Sequence, residues 1–355
     1  MTDADHGAID DLNWMQQYAA SEIVEYGDEG RISRREMMVR LVAVCGSAGA
    51  ASAFLASCSS GTTTTSATTV PTTAAGSTTG PASTAATTAT TAPTSTATGG
   101  STAVPPPSGQ PPPPATGPAG HVLSVAADDP EITAGDVTFK GPASEILGYS
   151  AKLAGNRKLP GIIVIHEIFG LTDHIKDVTR RLAKVGFIAV APDLASRAGG
   201  TGKAENVAGA LTGGPVTDRV ADLNAALAFL EGQPAYNDRL GVVGFCFGGG
   251  MTLSFAAAQP KVLAAVPYYG PTPQPASALS ATNAAILAHY GETDNRVNAG
   301  IPDLEAAMAG KTFEKSVHPG AGHAFNNDTG GAYNEKEAVA AWTATVEWFR
   351  RYLDR

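Results

Sequence analysis

The C-terminal two thirds of the sequence predicts an α/β protein whose sheet is mainly parallel and covered by helices on both faces. Short, continuous apolar runs, such as 161–165 and 187–191, are typical of strands buried on both faces. Segments with helical periodicity, such as 174–185, separate these runs. Because strands and helices alternate along residues 121–355, and because this length can bury a sizeable core, we expect a single domain with parallel strands.

The same patterns locate the individual elements in chain order. The predicted strands cover 161–165, 187–191, 240–245, 262–268, 285–290 and 312–318. The predicted helices cover 174–185, 218–231, 248–259, 302–308 and 335–353, and a short helix is predicted around 11–26. Apolar residues share one face of the last helix: Val339, Trp342, Val346, Phe349 and Leu353. We therefore interpret Trp342 and Trp348 as packing residues rather than as parts of a ligand site.

The composition limits the class of function. The 355 residues include 24 Lys and Arg against 33 Asp and Glu, a formal net charge of −9, which argues against a partner that is nucleic acid. The three cysteines, Cys45, Cys58 and Cys246, cannot form a disulfide framework, and the sequence has no Cys-x-x-Cys pair for zinc or redox chemistry. No charged residue occurs between Leu41 and Ala127, so composition separates an N-terminal part from the folded domain.

Residues 1–57 contain the parts of an export signal in the expected order. After an acidic leader, the pair Arg34 and Arg35 precedes the apolar stretch 41–57, which falls short of the roughly 20 apolar residues of a membrane span. The paired arginines resemble a twin-arginine signal, and the four residues ending at Cys58 (Leu-Ala-Ser-Cys) resemble a bacterial lipobox. The alternative interpretation is a poor helix with a chance arginine pair and a chance cysteine.

Residues 58–120 are almost entirely Ser, Thr, Ala, Pro and Gly. Such a segment buries too little apolar surface to offset its ordering entropy, so we expect a disordered linker that its prolines extend. A lipid on Cys58 would anchor the chain, and the linker would hold the domain of residues 121–355 clear of the membrane. We therefore expect an exported, lipid-anchored monomer outside the cytoplasm.

The sequence Gly-Phe-Cys-Phe-Gly-Gly, centred on Cys246, carries the sharpest chemical signal. A strand runs directly into a helix with a nucleophile at the turn, which is the layout of a nucleophile elbow with Cys in place of Ser. A cysteine at a helix N-terminus is expected to have a lowered pKa, and the backbone N–H of Phe247 is placed to donate to an oxyanion. The alternative is a small buried cysteine in a glycine-rich turn.

Three other predicted strands also end in residues suited to chemistry. The first ends at His166 and Glu167, where position 170 is Gly, so the sequence is not a zinc-protease motif; Glu167 is either a base or gate facing the thiol or a solvated loop residue. Asp294 follows the strand 285–290 and is placed to orient a histidine. His323 lies in a glycine-rich loop before the last helix and is the candidate general base. The order nucleophile, acid, histidine is that of α/β-hydrolases.

These residues also carry a family resemblance. The chain from about Ile162 onwards resembles the dienelactone hydrolase (carboxymethylenebutenolidase) family in five motifs: His-Glu-Ile-Phe-Gly at 166–170, Ala-Pro-Asp-Leu at 191–194, the elbow at 244–249, Gly-x-x-Asp at 291–294, and 320–325. The resemblance implies an α/β-hydrolase fold. It also implies the following roles: Cys246 as nucleophile, His323 as base, Asp294 as its orienting acid, Glu167 as the group that activates the thiol, and the N–H groups of Ile168 and Phe247 as oxyanion donors.

The resemblance is weaker on the substrate side. The family holds a substrate carboxylate with two arginines, and Arg197 matches the first of them. The position of the second, four residues after the catalytic histidine, is Asn327. Arg296, just past Asp294, is a candidate to supply the missing cation. The resemblance therefore leaves dienelactone itself open as the substrate.

The sequence thus favours a hydrolase of small esters or lactones that forms a thioester on Cys246 and requires no metal or organic cofactor. An acyltransferase that uses the same nucleophile is one alternative, because only the acceptor of the acyl group differs. The other is a surface lipoprotein that uses an α/β-hydrolase scaffold for binding without catalysis.

Overall fold

A computed structural model describes residues 12–28, Gly30, 32–59 and 122–354. The described helices are α1 (Trp14–Asp28), α2 (Arg34–Cys45), α3 (Ala48–Ser59), α4 (Asp173–Lys184), α5 (Val207–Thr212), α6 (Val216–Glu231), α7 (Phe247–Ala258), α8 (Asn295–Asn298), α9 (Ile301–Ala307) and α10 (Glu335–Leu353). The strands are β1 (Ile132–Lys140), β2 (Glu145–Leu153), β3 (Leu159–Ile165), β4 (Ile188–Pro192), β5 (Tyr236–Phe245), β6 (Val262–Tyr268), β7 (Ala285–Gly291) and β8 (Phe313–His318).

The eight strands form one sheet in the order β1-β2-β4-β3-β5-β6-β7-β8. The pairs β1–β2 and β2–β4 are antiparallel, and every other pair is parallel. All residues of β3 and β4 are buried, as expected for strands covered on both faces. Because β3, β5, β7 and β8 run in the same direction, their carboxyl ends meet at one edge of the sheet, where ligands bind in folds of this type.

The predicted fold class is confirmed: the molecule has a mainly parallel sheet with flanking helices, consistent with an α/β-hydrolase fold. The parallel strands lie within a few residues of the predicted positions. The hairpin of β1 and β2 was not predicted. Residues in the second half of β1 alternate between half-buried and exposed, so this edge strand lacks the continuous apolar run that marks the inner strands.

Three helices precede the sheet and pack against the main core. Asn13 and Gln16 begin α1 with reciprocal side-chain-to-backbone hydrogen bonds of 3.0 and 3.1 Å. Ser33 caps α2 by accepting from the N–H of Glu36 at 3.2 Å, and Gly46 ends the helix in the left-handed conformation that glycine favours. Apolar side chains of α1 and α2 belong to the core of the α/β domain.

Among the helices of the described ranges, none is long and apolar enough on its own to cross a membrane. Arg34–Cys45 and Ala48–Cys58, which are bent by 111°, meet that standard only when taken together. Arg34 and Arg35 lie exposed at the start of α2, and the Cys58 thiol is exposed near the end of α3. The export signal and the lipid anchor stay predictions. The linker predicted for 58–120 lies outside the described residues from residue 60 onwards.

Candidate active site

The turn between β5 and α7 holds Cys246 in a strained conformation. Its φ and ψ are 56° and −121°, a region that a residue with a side chain rarely adopts. Close packing explains the neighbouring glycines, because a Cβ on Gly244 would lie 2.2 Å from the carbonyl oxygen of Gly248, and a Cβ on Gly248 would lie 2.3 Å from that of Ile165. The elbow therefore presses the start of α7 against β3 and β5 and presents the thiol at the edge of the sheet.

Asp294 and His323 come from two further strand ends and meet directly. The Nδ1 of His323 lies 2.5 Å from Oδ2 of Asp294. The second carboxylate oxygen, Oδ1, accepts from the N–H of Val297 at 3.3 Å and so caps α8. One acid therefore orients the imidazole and also fixes the turn after β7.

Two side chains of α1 complete the surroundings of the nucleophile. The hydroxyl of Tyr18 donates to Sγ of Cys246 at 3.4 Å and lies 3.5 Å from Nε2 of His323. Glu22 places Oε1 3.1 Å from the same Nε2. Glu22 and Cys246 are completely buried, and His323 is 4% exposed. The thiol and the imidazole are thus enclosed by the core of the α/β domain on one side and α1 on the other.

The charges of these groups depend strongly on one another. Burial opposes protonation of His323, but the carboxylates of Glu22 and Asp294 outweigh it and raise the pKa of His323 well above its usual value. Burial would raise the pKa of Glu22, but His323 and Arg296 hold it well below its usual range. For both groups the charged neighbours together outweigh the effect of burial.

The pKa of the Cys246 thiol is raised, whereas the sequence predicted that the helix N-terminus would lower it. Burial is the main cause, and the carboxylate of Glu22 adds to it, while the hydrogen bond to His323 acts in the opposite direction. The predicted direction of the pKa shift is therefore wrong for this closed arrangement, because desolvation outweighs the effect of the helix N-terminus.

Glu167 is buried beside the nucleophile but is not hydrogen-bonded to it. Its Oε2 accepts from Nδ2 of Asn327 at 2.7 Å, and its Oε1 has no hydrogen-bond partner among the described residues. Burial raises the pKa of this carboxyl, and nearby His174 and His323 partly offset that effect. The hydroxyl of Tyr269, whose ring packs 4.9 Å from that of His323, is also buried without a partner in the described part of the chain. The site therefore holds polar atoms that a ligand could satisfy.

The two candidate oxyanion donors come from different loops. Phe247 is the first residue of α7, so its N–H has no partner within the helix. Ile168 is fully buried in the loop that follows β3, and that loop also carries Glu167.

The two candidate substrate arginines have different surroundings. Arg197 is bound by acids of α6, with its Nε 2.9 Å from Asp222 and its Nη1 3.3 Å from Asp218. None of its hydrogen bonds or ion pairs within the described residues involves the triad. Arg296, in contrast, contacts the site through Glu22, and its guanidinium lies 4.6 Å from the ring centre of Tyr18.

A buried ionic cluster supports the loop that carries Asn327. Asp328 lies 2.9 Å from Nδ1 of His174 and contacts the guanidinium of Arg181, which in turn binds Asp177. All four side chains are buried. The loop between β8 and α10, which also holds His323, is therefore tied to α4 by charge-assisted hydrogen bonds.

A separate network occupies the base of the same loop. His318 joins Glu337 of α10 to His289 of β7, with distances of 3.0 Å on each side. These contacts link β7, β8 and α10 through side chains, so His318 has a structural role.

One group of described residues has the spacing of metal ligands. Glu22, Cys246 and His323 each bring one ligand atom within 4.8 Å of the others. The guanidinium of Arg296 binds the same carboxylate and disfavours a cation there.

The sequence predicted Cys246, Asp294 and His323, which the structure brings together, but it did not predict Tyr18, Glu22 and Tyr269 beside them. Tyr18 and Glu22 lie more than 220 positions from Cys246, inside a segment that was interpreted as part of an export signal. The one available sign was the short helix predicted around 11–26, whose apolar residues needed a surface to cover.

The comparisons with known proteins agree with this geometry. The sequence model that describes the dienelactone hydrolase family matches residues 146–353 of this chain. A protein of Methylorubrum extorquens named "Putative carboxymethylenebutenolidase" is 37% identical over 255 residues, which cover 67% of this chain and 88% of that protein.

Solved structures show the same similarity. The crystal structure titled "Putative Dienelactone Hydrolase" from Klebsiella pneumoniae is 30% identical and superimposes with a TM-score of 0.58, covering 62% of this chain and 99% of its own. A dienelactone hydrolase-like promiscuous phosphotriesterase from metagenomic libraries is 25% identical, with a TM-score of 0.56 and coverage of 62% and 99%. The chain therefore belongs to the dienelactone hydrolase family and is a hydrolase of that type.

Proposed function

We propose that this protein hydrolyses small carboxylic esters or lactones with a Cys246–His323–Asp294 triad through a thioester intermediate. The observation that carries the proposal is the meeting of the three side chains at the ends of β5, β7 and the segment after β8. The strained elbow supplies the nucleophile, and the 2.5 Å contact with Asp294 orients His323 as the base. The first N–H of α7, which has no partner within the helix, supplies an oxyanion donor.

Acylation begins when His323 Nε2 takes the proton from Sγ of Cys246. The thiolate attacks the carbonyl carbon, a C–S bond forms, and the carbonyl electron pair moves to oxygen, where the N–H groups of Ile168 and Phe247 stabilise it. Collapse of this intermediate re-forms the carbonyl and breaks the C–O bond. The leaving alkoxide takes the proton from His323, and Asp294 holds the imidazole in position throughout.

Deacylation repeats these steps with water as nucleophile. Water gives a proton to His323 and attacks the thioester carbon, and the C–S bond then breaks as Sγ of Cys246 recovers the proton. For a lactone, the alcohol and acid are released as one molecule. Glu167 has an unpaired carboxylate oxygen in this space, and we assign to it the activation of the thiol when substrate enters.

Arg296 is the better placed of the two candidate arginines for an anionic substrate. It already binds a carboxylate, that of Glu22, at a site adjoining His323. A substrate carboxylate could take the same partner in place of Glu22. Arg197 stays a candidate for the same role, although Asp222 and Asp218 compete for its guanidinium.

The test compares the full chain with Cys246→Ala and with Cys45→Ala, which removes another buried thiol. Hydrolysis of p-nitrophenyl acetate and of dienelactone should disappear in Cys246→Ala and persist in Cys45→Ala. Brief exposure to the p-nitrophenyl ester, followed by mass spectrometry of the denatured chain, should show an acyl group on the peptide that contains Cys246. Hydrolysis retained by Cys246→Ala would contradict the proposed nucleophile.

Substrate charge can be tested on the same protein. Arg296→Gln should raise KM for a carboxylate-bearing lactone more than KM for p-nitrophenyl acetate, because only the first substrate loses an ion pair. Arg197→Gln is the matched variant, and a larger effect there would transfer the role to Arg197.

We also propose that the protein is exported and held at the membrane by a lipid on Cys58. The support is the order of Arg34, Arg35, the apolar stretch 41–57 and the lipobox-like residues before Cys58. A fusion of residues 1–60 to a reporter should stay in the cytoplasm when both arginines become lysine. Unchanged export of that fusion would exclude the twin-arginine route, and Cys58→Ala should release the exported protein from the membrane fraction.

A further inference from the structure

We propose that α1 is a built-in cover of the catalytic triad, so that the chain folded in this way is latent and acts only after residues 14–28 move aside. The inference rests on the proposed function, because it concerns the regulation of the same site. It assigns a role to Tyr18 and Glu22, which the hydrolytic steps above do not use.

The first observation is that α1 fills the place that substrate needs. A reacting carbonyl must come within about 3–3.5 Å of the nucleophile, and the hydroxyl oxygen of Tyr18 occupies that distance from Sγ of Cys246, at 3.4 Å. The same oxygen lies 3.5 Å from Nε2 of His323. An ester cannot approach the thiol while Tyr18 stays in this position.

The second observation concerns the base. Nε2 of His323 is the atom that must receive the Sγ proton, and Oε1 of Glu22 lies 3.1 Å from it. While Oε1 of Glu22 lies this close, Nε2 faces a carboxylate oxygen. Glu22 thus blocks the chemical function of His323 in addition to blocking access to it.

The third observation is that the cover is fastened to the hydrolase body at several points. Arg296 binds both Glu22 and Glu25. Farther along α1, the ring of Tyr26 packs 5.3 Å from that of Phe169, in the loop that holds Ile168. A loosely attached N-terminal helix would not make this many contacts around a buried acid. We therefore interpret α1 as a specific closure of the site.

Two more contacts extend the fastening to either side of α1. The amide of Asn13 donates to the carbonyl oxygen of Thr212 at 3.2 Å. The guanidinium of Arg40, in α2, lies 5.1 Å from the ring centre of Phe169. The cover therefore includes α2, whose exposed Arg34 and Arg35 form the proposed export motif. If export or processing displaces this segment, the same event would open the active site.

The experiment uses the full chain with a recognition sequence for a site-specific protease inserted between residues 60 and 120. Two quantities are measured before and after cleavage: ester turnover, and the rate at which iodoacetamide alkylates Cys246, read from the mass of its peptide. Glu22→Gln removes the acid on His323, and Glu314→Gln is the matched control, because Glu314 is an exposed acid of β8 that pairs with Arg351 rather than with a residue of the cover.

Latency predicts slow alkylation and slow turnover in the uncut wild-type chain. Glu22→Gln, or cleavage followed by removal of the N-terminal fragment, should raise both by about tenfold or more, and Glu314→Gln should change neither. A fall in turnover in Glu22→Gln would overturn the inference and make Glu22 a participant in catalysis. Equal alkylation of Cys246 in the cut and uncut chains would also overturn it.

The two readouts separate this inference from the proposed function. Faster alkylation without turnover on any ester or lactone would uphold the cover and contradict the hydrolase mechanism. Equal turnover in the cut and uncut chains, lost in Cys246→Ala, would uphold the mechanism and contradict the cover.

Discussion

Asn327 donates a 2.7 Å hydrogen bond to the carboxylate of Glu167, at the position where the family resemblance led us to expect a substrate-binding arginine. The amide leaves one carboxylate oxygen of Glu167 paired and the other, Oε1, unpaired. Asn327, which at first suggested that a substrate contact was lost, therefore has a hydrogen-bond partner inside the site.

Replacing this amide should weaken the fold. Asn327→Ala leaves the buried carboxyl of Glu167 without a side-chain donor, which should lower the free energy of unfolding by about 1–3 kcal/mol. Thr329→Ala is the control, because it deletes an exposed hydrogen bond to the same amide, and its effect should stay within about 0.5 kcal/mol. Urea unfolding measures both values, and equal effects would mean that the bond to Glu167 is not what stabilises this loop.

Asp294 both orients His323 and caps α8, and a conservative and a severe substitution should separate these two roles. Asp294→Asn retains an oxygen that can cap α8 but loses the charge that orients His323, so kcat should fall by about 10⁴ with little loss of stability. Asp294→Ala should also lose the cap, which costs about 0.5–2 kcal/mol. Steady-state kinetics and thermal unfolding of both variants, against wild-type chain treated identically, test the separation. Full activity in Asp294→Asn would remove it from the triad.

The sequence could predict the site residues that lie near the ends of predicted strands. Cys246 and Asp294 could be found because each follows a buried strand that is marked by a continuous apolar run. His323 follows β8, whose residues are mostly exposed or half-buried, and it was indicated instead by its glycine-rich loop before the last helix. Their convergence then follows from the parallel arrangement. The hairpin of β1 and β2 lacked a continuous apolar run, because exposed and half-buried residues interrupt both strands.

The residues that close the site could not be found in the same way. Glu22 lies in an acidic leader whose composition predicts exposure to solvent, yet it is fully buried because His323 and Arg296 compensate its charge. Such a burial depends on contacts across about 300 positions, which no local pattern encodes. The wrong direction for the pKa of Cys246 has a similar origin, since burial of the thiol depends on the tertiary packing around it, which no local pattern encodes.

The ion pairs of Asp328 should make a large contribution to stability. Asp328→Ala leaves Arg181 and His174 buried without this partner, and the loss should be about 3–5 kcal/mol. Asp136→Ala breaks an exposed pair with Lys176 and should cost no more than about 1 kcal/mol. Chemical denaturation of the two variants compares them directly, and a small effect at Asp328 would show that the cluster contributes little.

The same ion pairs predict a dependence on pH. Burial would raise the pKa of Asp328, but His174 and Arg181 hold it well below its usual value. A carboxyl with a depressed pKa in the folded state adds stability above its unfolded pKa of about 3.9, and this stability is lost as the pH falls below that value. Asp328→Ala should therefore flatten the loss of stability below about pH 4.

His289 should make the fold sensitive to acid in a higher pH range. The pKa of His289 is lowered to about 3, mainly by burial. Neighbouring His318, whose Nε2 lies 3.0 Å from Nδ1 of His289, acts in the same direction. Tyr268 packs against its ring, and Glu337 faces it only through His318. The native state therefore keeps His289 neutral at pH values where the unfolded chain, with an ordinary pKa of about 6.5, is protonated.

The sign follows from proton counting. Between pH 6.5 and 3 the unfolded state binds one more proton at this residue than the folded state, so stability falls as the pH falls, by about 1.4 kcal/mol per pH unit. His289→Gln can still form hydrogen bonds to Thr345 and His318 but cannot titrate, and it should remove about that much from the slope between pH 4 and 6. Urea unfolding at half-unit pH steps measures the two slopes. Parallel slopes in wild type and His289→Gln would show that His289 is protonated in the folded chain.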